Sequence, residues 1–129
     1  MTEREACWDL PSEPEFVAKA RTMVRETLDG WGLCAEIGDT ELIVSELYTN
    51  AVVYGGPRIV LTLRLAGPVL GGAITDHGTD TPRLAPACEL AEHGRGLAIV
   101  DALAERWGID PLPDGAGKTV WFTMKRRNQ

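Results

Sequence analysis

Glu46 and Asn50 stand four residues apart in the run Ile43-Val44-Ser45-Glu46-Leu47-Tyr48-Thr49-Asn50-Ala51-Val52-Val53, so on a helix both side chains project from one stripe. A carboxylate beside an amide oxygen can supply a proton acceptor and a ligand for a hard cation such as magnesium, which prefers oxygen. Asn is also a poor helix-interior residue, about 0.6 kcal/mol worse than Ala, because its amide competes with the backbone for hydrogen bonds. The plainer alternative is a solvated polar face.

Two glycine-marked segments add to the pair. In Ile74-Thr75-Asp76-His77-Gly78 a carboxylate ends an expected strand, just before a glycine that lets the backbone turn sharply. A buried Asp there needs a donor, and an adenine exocyclic amine with a bridging water suits it; an Asp that simply starts a turn is the alternative. His93-Gly94-Arg95-Gly96-Leu97 opens directly into an expected helix. Free amides, the helix dipole and glycines that allow close approach make a phosphate site there, although a glycine-ended loop before a helix is also common.

Several better-known patterns fail. Gly115-Ala116-Gly117-Lys118-Thr119 looks like the tail of a P-loop, but Leu112 stands where the pattern needs glycine. A helix should follow, whereas Val120-Trp121-Phe122-Thr123-Met124 reads as strand. Ile99 breaks a dinucleotide fingerprint starting at Gly94. Neither His77 nor His93 has a partner at ligand spacing, so a metal-chelating pair or a His-based triad is not supported.

The elements that must position these residues follow from periodicity. Ser12 and Pro14 read as a helix start, and Phe16, Val17, Ala20, Met23, Val24, Thr27 and Leu28 recur at helical spacing until Gly30 and Gly32. Asp39 can cap a second helix carrying Leu42, Ile43, Leu47, Ala51 and Val52, which Tyr54-Gly55-Gly56-Pro57 ends. Residues 58–65 alternate Ile59, Leu61, Leu63 and Leu65 with Val60, Thr62 and the flanking arginines, a half-buried strand whose hairpin partner is 69–75. Between Asp76 and Gly96 no periodicity buries a face, as in a functional lid. A short helix over 97–104 and strands at 106–109 and 120–124 complete the order, and the four tryptophans are expected to fill core. Helices mixed with largely antiparallel strand pairs imply an α+β, two-layer sandwich.

Composition bounds the function. A chain of 129 residues, 44% of them apolar, is expected to be one domain with one core. The net charge of −6 argues against a nucleic-acid footprint, and Lys125-Arg126-Arg127 reads as a solvated tail. Cys7, Cys34 and Cys88 are odd in number and widely spaced, so neither a disulfide framework nor a zinc site is expected and a reducing cytoplasm fits. Residues 1–8 hold no apolar signal core and no run of apolar residues is long enough to span a bilayer, so neither secretion nor membrane insertion is expected.

Taken jointly, Glu46-x-x-x-Asn50, Asp76-x-Gly78, a long loop, Gly94-x-Gly96 before a helix, and Gly117-Lys118-Thr119 before a strand resemble the GHKL ATPase superfamily, which includes gyrase and the histidine kinases. Within it the chain is most similar to small, single-domain anti-sigma-factor serine kinases and related actinobacterial ATP-binding regulators. The resemblance covers nearly the whole chain, from the Leu10-Pro11 start to the Val120-Trp121-Phe122 strand, within one expected domain over 1–129 with an ordered core to about residue 125. It implies the Bergerat fold, a mixed, mostly antiparallel sheet with helices on one face, and ATP between helix and lid. Asn50 would ligate the magnesium that bridges the phosphates and Glu46 would be the general base. Asp76 would recognise adenine, Gly78 would make room for it, and Thr119 would join the adenine water network. Gly94, Arg95, Gly96 and Leu97 would close over the phosphates at the end of a lid spanning about 79–95. The resemblance also implies a homodimer and a partner that is a sigma factor or a STAS-type antagonist protein.

One departure stands out. Many close relatives carry a histidine two turns after the Glu, and Tyr54 is here instead, so any imidazole contribution near the phosphates is lost. Two functions are therefore expected to compete: a cytoplasmic protein serine kinase and anti-sigma factor acting on a STAS-type antagonist, and a nucleotide-dependent binding module that holds a sigma factor or other regulator without turnover. An autonomous ATPase is a third, with no room in this length for a phosphoacceptor-histidine domain.

Overall fold

The computed structural model describes residues 3–54, 56–77, 97–113 and 115–126. Its elements run β1 (Glu3–Pro11), α1 (Val17–Gly30), α2 (Ile37–Tyr54), β2 (Arg58–Ala66), β3 (Val69–Asp76), α3 (residues 97–103), β4 (Arg106–Pro111) and β5 (Lys118–Lys125). The strands form a single sheet in the order β1-β2-β3-β5-β4, and each of the four pairings is antiparallel. Helix α2 lies on β2 and β3, and α1 packs on α2, so the fold is α+β in two layers.

Strand parity decides what enters the layer between them. Along β2, Ile59, Leu61, Leu63 and Leu65 are buried while their neighbours are not, the period-two pattern of a strand with one covered face. On β3 the buried set is Leu70, Gly72, Ile74 and Asp76. Gly72 lacks a side chain because the ring of Phe122 fills that place. Val120, Phe122 and Met124 continue the same face on β5. Against them α1 presents Ala20, Val24 and Leu28, and α2 presents Ile43, Val44, Leu47, Tyr48 and Ala51. Each large aliphatic side chain so buried contributes roughly 1.5–3 kcal/mol, which fixes the helix register over the sheet.

Two polar ties set the azimuth of α2. Glu41, buried, accepts from Nε and a terminal nitrogen of Arg25 at 2.7 and 3.1 Å, which joins α2 to α1. The Tyr48 hydroxyl donates to the carbonyl of Pro11 at the end of β1, and burial pushes that phenol's pKa up. With Tyr48 held down, the stripe carrying Glu46 and Asn50 cannot roll away from β3.

One element is added to those expected, and three local expectations are corrected. Residues 3–11 form strand β1, whose charged outward residues mark a sheet edge and hide its alternation of Ala6, Trp8 and Leu10. Ser12 caps nothing: a 3-10 turn over Pro14–Phe16 precedes α1, with Glu13 at its cap position. Asp39 lies in the first turn of α2, which begins at Ile37 after a second 3-10 turn, Cys34–Glu36. Trp8, Trp31 and Trp107 pack against the core, but Trp121 lies on the sheet face away from the helices, its indole filling the place of a side chain at Gly108. Among the described residues no helix is long and apolar enough to cross a membrane.

Candidate functional site

Residues from five elements converge on one small cavity of about 40 Å3 that opens to solvent. Leu47, Asn50 and Ala51 come from α2, Ile74 and Asp76 from β3, Leu97 from the described start of α3, Ile109 from β4, and Lys118 and Val120 from β5. The walls are largely aliphatic, and the polar groups among these residues are Asn50, Asp76 and Lys118. Residues as far apart in sequence as Leu47 and Val120 meet here because α2 packs on β3 and β5 pairs with β3.

Asp76 closes β3 on the covered face, with its side chain only 5% exposed. A carboxylate so far from water requires a partner, and Lys118 provides one, its Nζ 2.8 Å from Oδ2 of Asp76. The two residues are registered opposite one another across β3 and β5. Gly117, at φ 138°, precedes Lys118 in a conformation that L side chains rarely adopt. A Cβ there would strike the backbone carbonyl of Asp76, so the glycine allows the close approach that seats the carboxylate.

Of the residues singled out from the sequence, Asn50, Asp76 and Leu97 line this cavity. Glu46 lies on the same helix one turn earlier, half-buried, and is not among the cavity's lining residues. Thr119 is a correction. It is registered opposite Thr75, and the hydroxyls of the two share a hydrogen bond of 2.8 Å on the sheet face opposite to Asp76. The residue beside Asp76 on the covered face is Lys118. Gly78, Gly94, Arg95 and Gly96 lie outside the described residues, as does the expected lid, 79–95. The side chain of Tyr54 is outside them too.

In the sequence Lys118 stands inside Gly117-Lys118-Thr119, whose order alone does not say which member faces the cavity. The signal that finds it is parity: positions 118, 120, 122 and 124 share a face, and Val120, Phe122 and Met124 are the buried side of β5.

The donor set also limits what metal chemistry fits. Among the described residues no group of three or more His, Cys, Asp or Glu can hold a metal ion. Asn50 offers one amide oxygen at the cavity, which suits magnesium bound through one or two protein oxygens together with phosphate oxygens and water.

Comparison with known proteins places this geometry. The model of the family described as the histidine kinase-like ATPase domain matches residues 10–124. Among solved structures, that of the RsbU and RsbW domains of Rv1364c from Mycobacterium tuberculosis superposes with a TM-score of 0.72 at 24% identity. That match covers 97% of this chain and 33% of the other, so this chain spans about a third of its length. At that identity the likeness is one of fold. A search of curated proteins gives no match.

Proposed function

The chain belongs to the histidine kinase-like ATPase domain family, and from that premise we propose that it is a cytoplasmic, ATP-dependent protein serine kinase. Its acceptor is a serine on a STAS-type antagonist protein, and through that antagonist it regulates a sigma factor. The observation that carries the nucleotide part is the meeting of Asn50 and Asp76, from a helix and a strand, in one largely apolar cavity. Flat apolar walls with a few fixed polar groups suit a base, and Asp76 offers an acceptor for its exocyclic amine.

In this reading Ile74, Val120, Leu47 and Ala51 would hold the base and Asp76 would accept from its amine. Asn50 would offer its amide oxygen to the magnesium that accompanies the phosphates. That ion would neutralise charge on the phosphates, and positioning supplies most of the catalysis in such a transfer. The acceptor serine hydroxyl gives its proton to the Glu46 carboxylate as its oxygen attacks the γ-phosphorus, and ADP leaves. Incubation with Mg-ATP and candidate antagonists tests the transfer: phosphoserine on one of them, lost in Glu46→Ala, is expected. Undiminished transfer by that variant removes Glu46 from the role.

A second reading is favoured by one specific observation, the position of Glu46 outside the cavity lining. A nucleotide-dependent binding module would hold its partner, a sigma factor or other regulator, without turnover. Partner capture would then survive Glu46→Ala and fail in Asp76→Asn. Equal capture by both variants counts against it.

A further inference from the structure

The Asp76–Lys118 pair has a consequence beyond nucleotide binding itself. Lys118 lines the cavity, is registered opposite Asp76, and keeps its ammonium 2.8 Å from Oδ2 of a carboxylate that is 5% exposed. The pair presents an acceptor and a charged donor side by side at the end of an apolar slot. Its surroundings, Ile74, Val120, Ile109 and Leu47, suit an uncharged ring better than a phosphate. An ammonium already neutralised by a carboxylate is also a poor phosphate ligand, because the carboxylate repels the same anion.

The edge that complements such a pair carries a donor next to an acceptor. In adenine these are the exocyclic amine and the adjacent ring nitrogen, N1. A water could fill the acceptor's side of that contact, but here a tethered ammonium of the right sign is already in place. We propose, resting on the ATP reading above, that Lys118 is the specificity-determining residue of this site. When the base enters, Lys118 donates directly to N1 while Asp76 accepts from the amine. A charged donor strengthens that contact relative to a neutral one, and a base without an acceptor at that position leaves a desolvated ammonium poorly satisfied.

The test compares ATP with 1-deaza-ATP, which lacks the N1 acceptor, and with 7-deaza-ATP, which retains it, by titration calorimetry on the full chain. The expected result is that ATP and 7-deaza-ATP bind within about threefold of each other and 1-deaza-ATP at least about tenfold more weakly, the scale of a charge-assisted hydrogen bond. In Lys118→Met the ATP to 1-deaza-ATP ratio falls to about threefold or less. Unchanged discrimination in that variant, or none in the wild-type chain, overturns the inference while leaving ATP binding intact. Absence of ATP binding to the wild-type chain overturns the nucleotide reading and this inference together. Should Lys118→Met fail to fold, a crystal structure of the wild-type chain with Mg-ATP decides. Lys118 Nζ within hydrogen-bond distance of N1 supports the assignment, and a water there with Lys118 turned away overturns it.

Discussion

Two neighbouring rungs of the β3 and β5 ladder, Thr75 with Thr119 and Asp76 with Lys118, differ by one residue in sequence and by a whole face in space. The threonine rung turns away from the helices, and its hydroxyls satisfy each other. The charged rung turns under α2 and lines the cavity. A single step along a strand exchanges an outward cross-strand pair for one that lines the cavity, because side chains alternate with a period of two.

Substitutions can break or sharpen this contrast. The largest effect is expected from Lys118→Met, which leaves the Asp76 carboxylate buried without its cation. Breaking a buried ion pair typically removes 3–5 kcal/mol, and since Lys118 is 28% exposed we expect about 2–3 kcal/mol, read as a lower urea midpoint at unchanged slope. A loss near zero would mean that the rung is solvated and the contrast empty. Gly117→Ala comes next, at about 2 kcal/mol, because the added Cβ meets the Asp76 backbone at a positive φ. Wild-type stability in that variant would show that the turn can yield without moving Asp76.

Asn50→Ala addresses the cavity's other polar wall. Its expected signature is a loss of about tenfold, near 1.4 kcal/mol, in ATP affinity with magnesium, and little change with EDTA. Equal losses in both conditions would assign Asn50 to packing. The smallest effect belongs to the outward rung: Thr119→Val removes one hydrogen bond, about 1 kcal/mol of stability, and leaves ATP affinity within about twofold. A large affinity loss there would restore Thr119 to the site and erase the difference between the two faces.

The same parity explains what could be read from the chain alone. Leu61, Leu63 and Leu65 alternate so regularly that β2 needs no tertiary information, and the helices over Ala20 to Leu28 and Ile43 to Ala51 are equally plain. Asn50 and Asp76 were legible because an Asn inside a helix and an Asp closing an apolar strand each conflict with local preference, and such conflicts collect at sites. β1 was hidden because an edge strand bears Glu3, Arg4, Glu5 and Asp9 for reasons of solubility, which blurs its alternation. Lys118 was hidden because motif order names a segment, Gly117-Lys118-Thr119, without saying which member faces the cavity. Only the pairing of Asp76 with Lys118 fixes that.

Glu46 illustrates the opposite limit. Its spacing from Asn50 is correct for a shared helical stripe, but a stripe is wider than a cavity, and one turn separates lining from flanking. In the proposed function, binding and transfer would therefore rest on different residues.

The claim that Asn50, Asp76 and Lys118 bound an ATP site is tested most directly by titrating Mg-ATP into the wild-type chain and into Asp76→Asn, with folding of both checked by circular dichroism. The account predicts saturable one-site binding by the wild-type chain and affinity at least about tenfold lower in the variant, since an uncharged amide oxygen accepts more weakly than a carboxylate and cannot pair with Lys118 as an ion. Equal affinity in the two folded proteins, or no binding by the wild-type chain, would contradict it.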